Sequence, residues 1–179
     1  DTAHIPTDTS NATSDSVVTI PSTGASGIVF GDFHLSDKSF GSPYTGAVRA
    51  LSPSSARAFL AKAQISGVRV VIAMATDRTI NTNPNGSFSL IKWKQAVDRF
   101  KKAGIEPYIA DGTILGHYLI SGPECASCWG SQKISASVLE EMARYSKTIW
   151  PALATAVGAA PTRIPWPTLR ASTGSWRSW

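Results

Sequence analysis

Ile114-Leu-Gly-His-Tyr-Leu-Ile-Ser-Gly-Pro-Glu124 decides the fold of this chain. Its apolar run reads as a buried strand, Ile114–Ile120, that passes into a loop with a carboxylate at its exit. In parallel α/β architectures the carboxyl ends of the strands are where reactive groups gather.

Working outward, short β-branched runs alternate with longer segments of helical period, the pattern of a parallel sheet. Val68–Met74 is apolar at nearly every position, as a strand covered on both faces should be. Ile28–Phe30 reads as the first strand, ending at Gly31-Asp-Phe-His34, and a Gly/Pro-rich loop follows around Gly41–Gly46. Ser52-Pro53 then supplies a helix cap and a proline at the first helical position. Ala56, Phe59, Leu60 and Ala63 form one apolar face until Gly67 stops that helix. Ser89 caps a second helix carrying Leu90, Trp93, Val97 and Phe100, which Gly104 ends. A third helix starts at Ser135 or Ser137, carries Val138, Met142, Tyr145 and Ile149, and stops at Pro151. Ala152–Val157 is a fourth, weaker strand. Strand starts recur at roughly 40-residue intervals, which suits βα units and predicts a partial (half) β/α barrel with parallel strands. The alternative is a small open doubly wound parallel sheet.

At 179 residues the chain fits one domain, and 42% hydrophobic with 16% charged residues is a globular balance. No apolar run approaches the ~20 residues that span a bilayer, so no membrane partner is expected. The net charge of +5 is scattered along the chain, with Arg99-Phe-Lys-Lys102 as its densest run, which argues against a nucleic-acid partner. Asp1–Ser26 is rich in Thr, Ser, Pro and Asp and reads as a disordered or loosely attached leader left after signal removal, placing the protein outside the cytoplasm, secreted or periplasmic. Residues 27–160 form the β/α domain. The tail 161–179 holds three of the six tryptophans and no regular period; it reads either as the end of a truncated or frame-shifted barrel or as an arm covering a sheet edge. Half a barrel leaves parallel edges unpaired, so a homo-oligomer is expected.

Ser89–Phe100, Asp111–Ile120 and Leu139–Pro151 resemble a group of bacterial glycoside-hydrolase-like (β/α)8 barrel proteins, over roughly Gly27 to Ala160. The resemblance implies a barrel and a hydrolase acting on glycosidic bonds of a carbohydrate substrate. In those relatives the third strand runs into Asp-Glu-Pro, the glutamate being the catalytic acid; here Pro123 is kept, Ser121 and Gly122 stand at the acidic positions, and Glu124 follows.

Glycosidic cleavage uses two carboxyls, ~5–5.5 Å apart for retention or ~6.5–9.5 Å for inversion. Asp32, Asp77 and Glu124 all end strands, and Asp32 and Glu124 are the expected acid/base pair, with His34 or His117 assisting. His34 follows Asp32 by two residues, so in extended backbone both point the same way. Each carboxylate taken singly reads equally as a loop cap, such as Asp77 pairing Arg78, and His117 as a hydrogen-bonded core histidine. Phe33, Tyr44 and Trp129 would give a sugar-stacking mouth, with Asp77 as a further substrate contact. Ser121 near a histidine suggests a serine esterase as an alternative, although the chain contains no Gly-x-Ser-x-Gly elbow. A second alternative is a non-catalytic carbohydrate-binding or structural relic. Cys125-Ala-Ser-Cys128 is half a zinc motif without its other half, so a local disulfide is expected and no metal. No Gly-x-Gly-x-x-Gly or Walker loop occurs, and no cofactor is expected.

Overall fold

The computed structural model describes residues 28–159 and 175–177. The leader 1–26 and the tail 161–179, apart from Ser175–Arg177, lie outside the described residues. Six strands, β1 (Gly31–Phe33), β2 (Gly46–Ala50), β3 (Arg69–Ala73), β4 (Ile114–Ser121), β5 (Ala154–Ala159) and β6 (Ser175–Arg177), pair in that order. Every neighbouring pair is parallel. Each strand lies beside its predecessor, so successive crossovers of one hand deposit their helices on one face.

The helices are α1 (Pro53–Ile65), α2 (Leu90–Asp98), α3 (Glu106–Ala110) and α4 (Ala136–Ile149). Ser52 caps α1 in a reciprocal capping box with Ser55, Ser89 caps α2, and Ser135 rather than Ser137 caps α4. Gly67, at φ 66°, turns the chain out of α1 in the left-handed region that glycine reaches without a Cβ clash. Leu60 and Ala63 from α1, Trp93 and Val97 from α2, and Met142 and Ala143 from α4 pack with Val70, Ile72, Leu119 and Val157 in the main core. Burial of a side chain such as Leu60 or Met142, both wholly inaccessible, contributes roughly 1.5–3 kcal/mol.

The other face of the sheet carries a separate cluster, Val71, Ala73 and Tyr118 with Val48 and Leu115, which includes no helix residue. A doubly wound sheet would have helices there. Among the described residues the arrangement is that of a partial β/α barrel. The sheet also curls: the rings of Phe33 on β1 and Tyr118 on β4 meet edge-on with centroids 5.5 Å apart, although β2 and β3 lie between them. In a flat sheet those strands would stand about 14 Å apart. The helix-free face is therefore concave.

Four readings of the sequence need correction. The first strand is Gly31–Phe33, just beyond the expected Ile28–Phe30, and β2 occupies the end of what was read as loop. Both are short and interrupt their apolar residues with glycine and a charged side chain, Gly-Asp-Phe in β1 and Gly-Ala-Val-Arg-Ala in β2, so they lack an apolar run. The short α3 was not expected, and β5 begins two residues later than its apolar composition suggested. In the tail, Ser175–Arg177 pairs with Val157–Ala159, which caps that edge of the sheet with backbone.

Candidate functional site

The carboxyl end of β4 brings Tyr118, Ser121 and Glu124 near one another. Tyr118 is 4% exposed and its ring packs with Val71 and Ala73 on the concave side, with the Ser121 side chain near its hydroxyl. Burial, with the Glu124 carboxylate nearby, pushes the phenol above its usual range, so at neutral pH it is a hydrogen-bond donor rather than an anion. The hydroxyl lies over β5 at Gly158, where a Cβ would come within 1.7 Å of it; only a glycine leaves that seat open. Sequence reading passed over Tyr118 as strand filling, because its partner Gly158 becomes visible only once β4 and β5 are paired.

The chain turns sharply after this strand. Gly122 donates to the Gly158 carbonyl at 2.7 Å and sits at φ 58°, a conformation that any side chain would strain by roughly 1–2 kcal/mol. This is the position at which the resembled family carries its glutamate. The following loop is braced by the Cys125–Cys128 disulfide and by Trp129. Trp129 is 1% exposed, donates Nε1–H to the Gly122 carbonyl at 2.9 Å, meets Phe88 edge-on and lies under the Arg78 guanidinium. It holds the Glu124 loop in place and offers no open stacking surface.

The remaining expected residues are spread more widely. Phe33, 45% exposed against Tyr118, does present an open ring at the mouth. Asp32 pairs in register with Ala47, which packs in the helix-side core, so its side chain leaves the sheet on the face opposite Phe33 and Tyr118. The structure thus does not set Asp32 and Glu124 face to face. His34 is not extended: at φ 61° it takes the left-handed conformation, with its N–H on the Val48 carbonyl and its own carbonyl accepting from Arg49 at 2.7 Å. The side chains of Asp32 and His34 consequently do not share the common direction that extended backbone would give.

His117 stands on the helix side, wholly buried. Trp93 stacks on it at 5.9 Å, Trp150 meets it edge-on, and Nδ1 pairs with the Ser146 hydroxyl at 2.9 Å. Desolvation pushes its pKa down to about 3, so it is a neutral core residue. Tyr44 stacks on Phe30 at the amino end of β2, the far end of the sheet from the mouth. Asp77 accepts from both the hydroxyl and the N–H of Thr79, which holds its carboxyl below the usual range; its expected partner Arg78 instead covers Trp129. No group of three or more His, Cys, Asp or Glu side chains that could hold a metal occurs among the described residues.

The class that fold and site define is a parallel α/β protein curled as a partial barrel, with a carboxylate, a phenol and a hydroxyl near one another at a strand end. No family model matches the chain, and no curated protein matches it in sequence. Solved structures are similar in backbone, among them these two. The catalytic domain of the major endoglucanase from Xanthomonas campestris pv. campestris aligns at TM-score 0.45 and 10% identity, over 66% of this chain and 42% of that one. The endo-1,4-beta-mannanase from Eisenia fetida aligns at TM-score 0.41 and 12% identity, over 71% of this chain and 50% of that one. The chain thus spans half or less of the length of the structures it matches.

Proposed function

We propose that this protein is a hydrolase acting on carbohydrate, with Glu124 as the acid/base group. What supports this reading is that Glu124 and Ser121 lie near the Tyr118 hydroxyl at the carboxyl end of β4, with the open ring of Phe33 against Tyr118. In this scheme Glu124 protonates the leaving oxygen, neutral Tyr118 donates a hydrogen bond to substrate, and Phe33 packs against the C–H face of a sugar ring. A disulfide-braced loop suits an extracytoplasmic, secreted or periplasmic setting. No helix among the described residues is long and apolar enough to cross a membrane.

One observation favours a second reading, a carbohydrate-binding protein without turnover: among the described residues Asp32 leaves on the face opposite Tyr118, so it does not supply the second carboxylate that glycosidases use. The serine-esterase alternative loses support, because His117 lies behind the sheet from Ser121.

A screen of chromogenic glycosides and short-chain esters on the wild type, Glu124→Gln, Asp32→Asn and Ser121→Ala decides among them. Glycoside turnover lost in Glu124→Gln and kept in Asp32→Asn supports the proposal. Ester turnover lost only in Ser121→Ala supports the esterase, and sugar binding without turnover supports the second reading. Self-association is a further proposal: among the described residues β1 is a sheet edge whose residues are exposed, flanked by exposed Ile28 and Phe30, and a second copy would cover it. A monomer by light scattering would refute it.

A further inference from the structure

Asn85-Gly86 is the one Asn-Gly pair in the sequence, and Asn85 is exposed in the loop between β3 and α2. The side-chain carbonyl carbon of an asparagine is open to attack by the backbone nitrogen of the next residue, and a glycine there has no β-carbon to obstruct the approach. Pro84 precedes Asn85 in a turn that the Gly86 N–H closes on the Asn83 carbonyl at 2.9 Å.

The carboxamide is already polarised. Asn85 Oδ1 accepts from the Ser87 N–H at 3.1 Å and from the Ser87 hydroxyl at 2.7 Å, and that hydroxyl itself accepts from Asn83 Nδ2. Two donors on Oδ1 draw electron density from the carbonyl carbon and stabilise the negative charge that develops on the oxygen during attack. Nδ2, the group that must leave, makes no hydrogen bond among the described residues.

The same turn bears on the loop that carries Glu124. Gly130, at φ 61° and directly after Trp129, lies so close that a Cβ on it would come within 2.8 Å of the Asn85 carbonyl oxygen, the Gly86 carbonyl carbon and the Ser87 nitrogen. The turn therefore packs backbone to backbone on the disulfide loop that Trp129 ties to the Gly122 carbonyl. A contact this close has no room for an added methylene.

We propose that Asn85 is a self-modification site, converted to isoaspartate with loss of ammonia, and that the conversion loosens the Trp129 loop. The Gly86 nitrogen bonds to Asn85 Cγ and gives its proton to solvent base. The Cγ–Nδ2 bond breaks, and Nδ2 leaves as ammonia with a proton from water. Water then opens the cyclic imide. Opening at the backbone carbonyl leaves the chain running through Cγ, one methylene longer, with the former Asn85 carbonyl now a free carboxylate against Gly130; opening at Cγ gives aspartate. Nothing is oxidised or reduced, and the chemistry does not depend on hydrolysis at Glu124.

Attack requires the Gly86 N–H to leave the Asn83 carbonyl, and an exposed bond of that kind slows it about two- to tenfold. The test is incubation of the whole chain at mildly alkaline pH, natively and in urea, followed by tryptic mapping. Thr79–Lys92 is a single tryptic peptide that carries Asn81, Asn83 and Asn85, so the other two asparagines serve as internal controls. The proposal expects the mass gain of an amide turned to an acid at Asn85 alone, with isoaspartate identified by electron-transfer fragmentation, at no less than about a tenth of the rate in urea. It also expects the Trp129 indole N–H resonance to move as isoaspartate accumulates, and to stay in place in Asn85→Asp, which adds a charge without lengthening the backbone. An Asn85 that survives more than about tenfold longer natively than in urea would overturn the proposal. So would isoaspartate that moves the Trp129 signal no more than Asn85→Asp does.

Discussion

Acidification should destabilise this protein through His117 in a way that can be isolated. In the unfolded chain the imidazole titrates near 6.5, whereas in the fold burial holds it near 3. The folded state therefore binds its proton later, and the stabilising contribution is complete above about pH 6.5 and declines as pH falls towards 3. Each unit between the two values costs about 1.4 kcal/mol, so lowering the pH from 7 to 4.5 removes roughly 2.5 kcal/mol. For a chain of this size that is a fall in Tm of roughly 5–10 °C. Asp77, Asp98 and Glu141, held below the usual carboxylate range by their hydrogen bonds, also lose stability on acidification. Their share is common to the wild type and to His117→Gln, a variant whose amide can still reach Ser146. Urea unfolding of both chains at pH 7 and pH 4.5 measures the quantity of interest as a difference of differences. The reasoning expects the wild type to lose roughly 2.5 kcal/mol more than the variant; equal losses would refute a buried neutral imidazole.

Other predictions follow from the same geometry. Gly158→Ala drives a methyl group onto the Tyr118 hydroxyl and should cost about 1–3 kcal/mol in thermal melts, with the near-ultraviolet tyrosine signal altered. Ser52→Ala removes the bond from the Ser55 N–H to the Ser52 hydroxyl, leaves the Ser52 N–H on the Ser55 hydroxyl, and should cost about 1 kcal/mol by urea unfolding. Without reductant, thiol titration should find no free cysteine among Cys125 and Cys128; dithiothreitol should release both and lower stability by only about 2 kcal/mol, because the closed loop is short.

How much of this was legible in the sequence depended on whether the signal was local. Val68–Met74 and Ile114–Ile120 carried their own apolar runs and became β3 and β4 within a residue or two. Ser52, Ser89 and Ser135 announced the three long helices, because a cap is a local hydrogen bond. The edge strands were not local in this sense. Gly31–Phe33 is exposed throughout and held by its pairing with β2, where Gly31 allows so close an approach that a Cβ would come within 1.9 Å of the Gly46 carbonyl oxygen. The site divides along the same line. Glu124 at a strand exit and the Cys125–Cys128 bridge were readable from spacing. Which face Asp32 and His117 take depends on register, and the role of Tyr118 depends on its contact with β5.

The central claim is that the sheet curls so that β1 and β4 face one another across a helix-free hollow lined by Tyr118. A nuclear Overhauser spectrum of the protein with labelled aromatic rings tests this directly. Edge-on rings with centroids 5.5 Å apart should give strong cross-peaks between Phe33 and Tyr118 ring protons. Their absence, with the Trp93 to His117 cross-peaks of the main core present, would mean an open, flat sheet and no shared mouth for Phe33 and Tyr118.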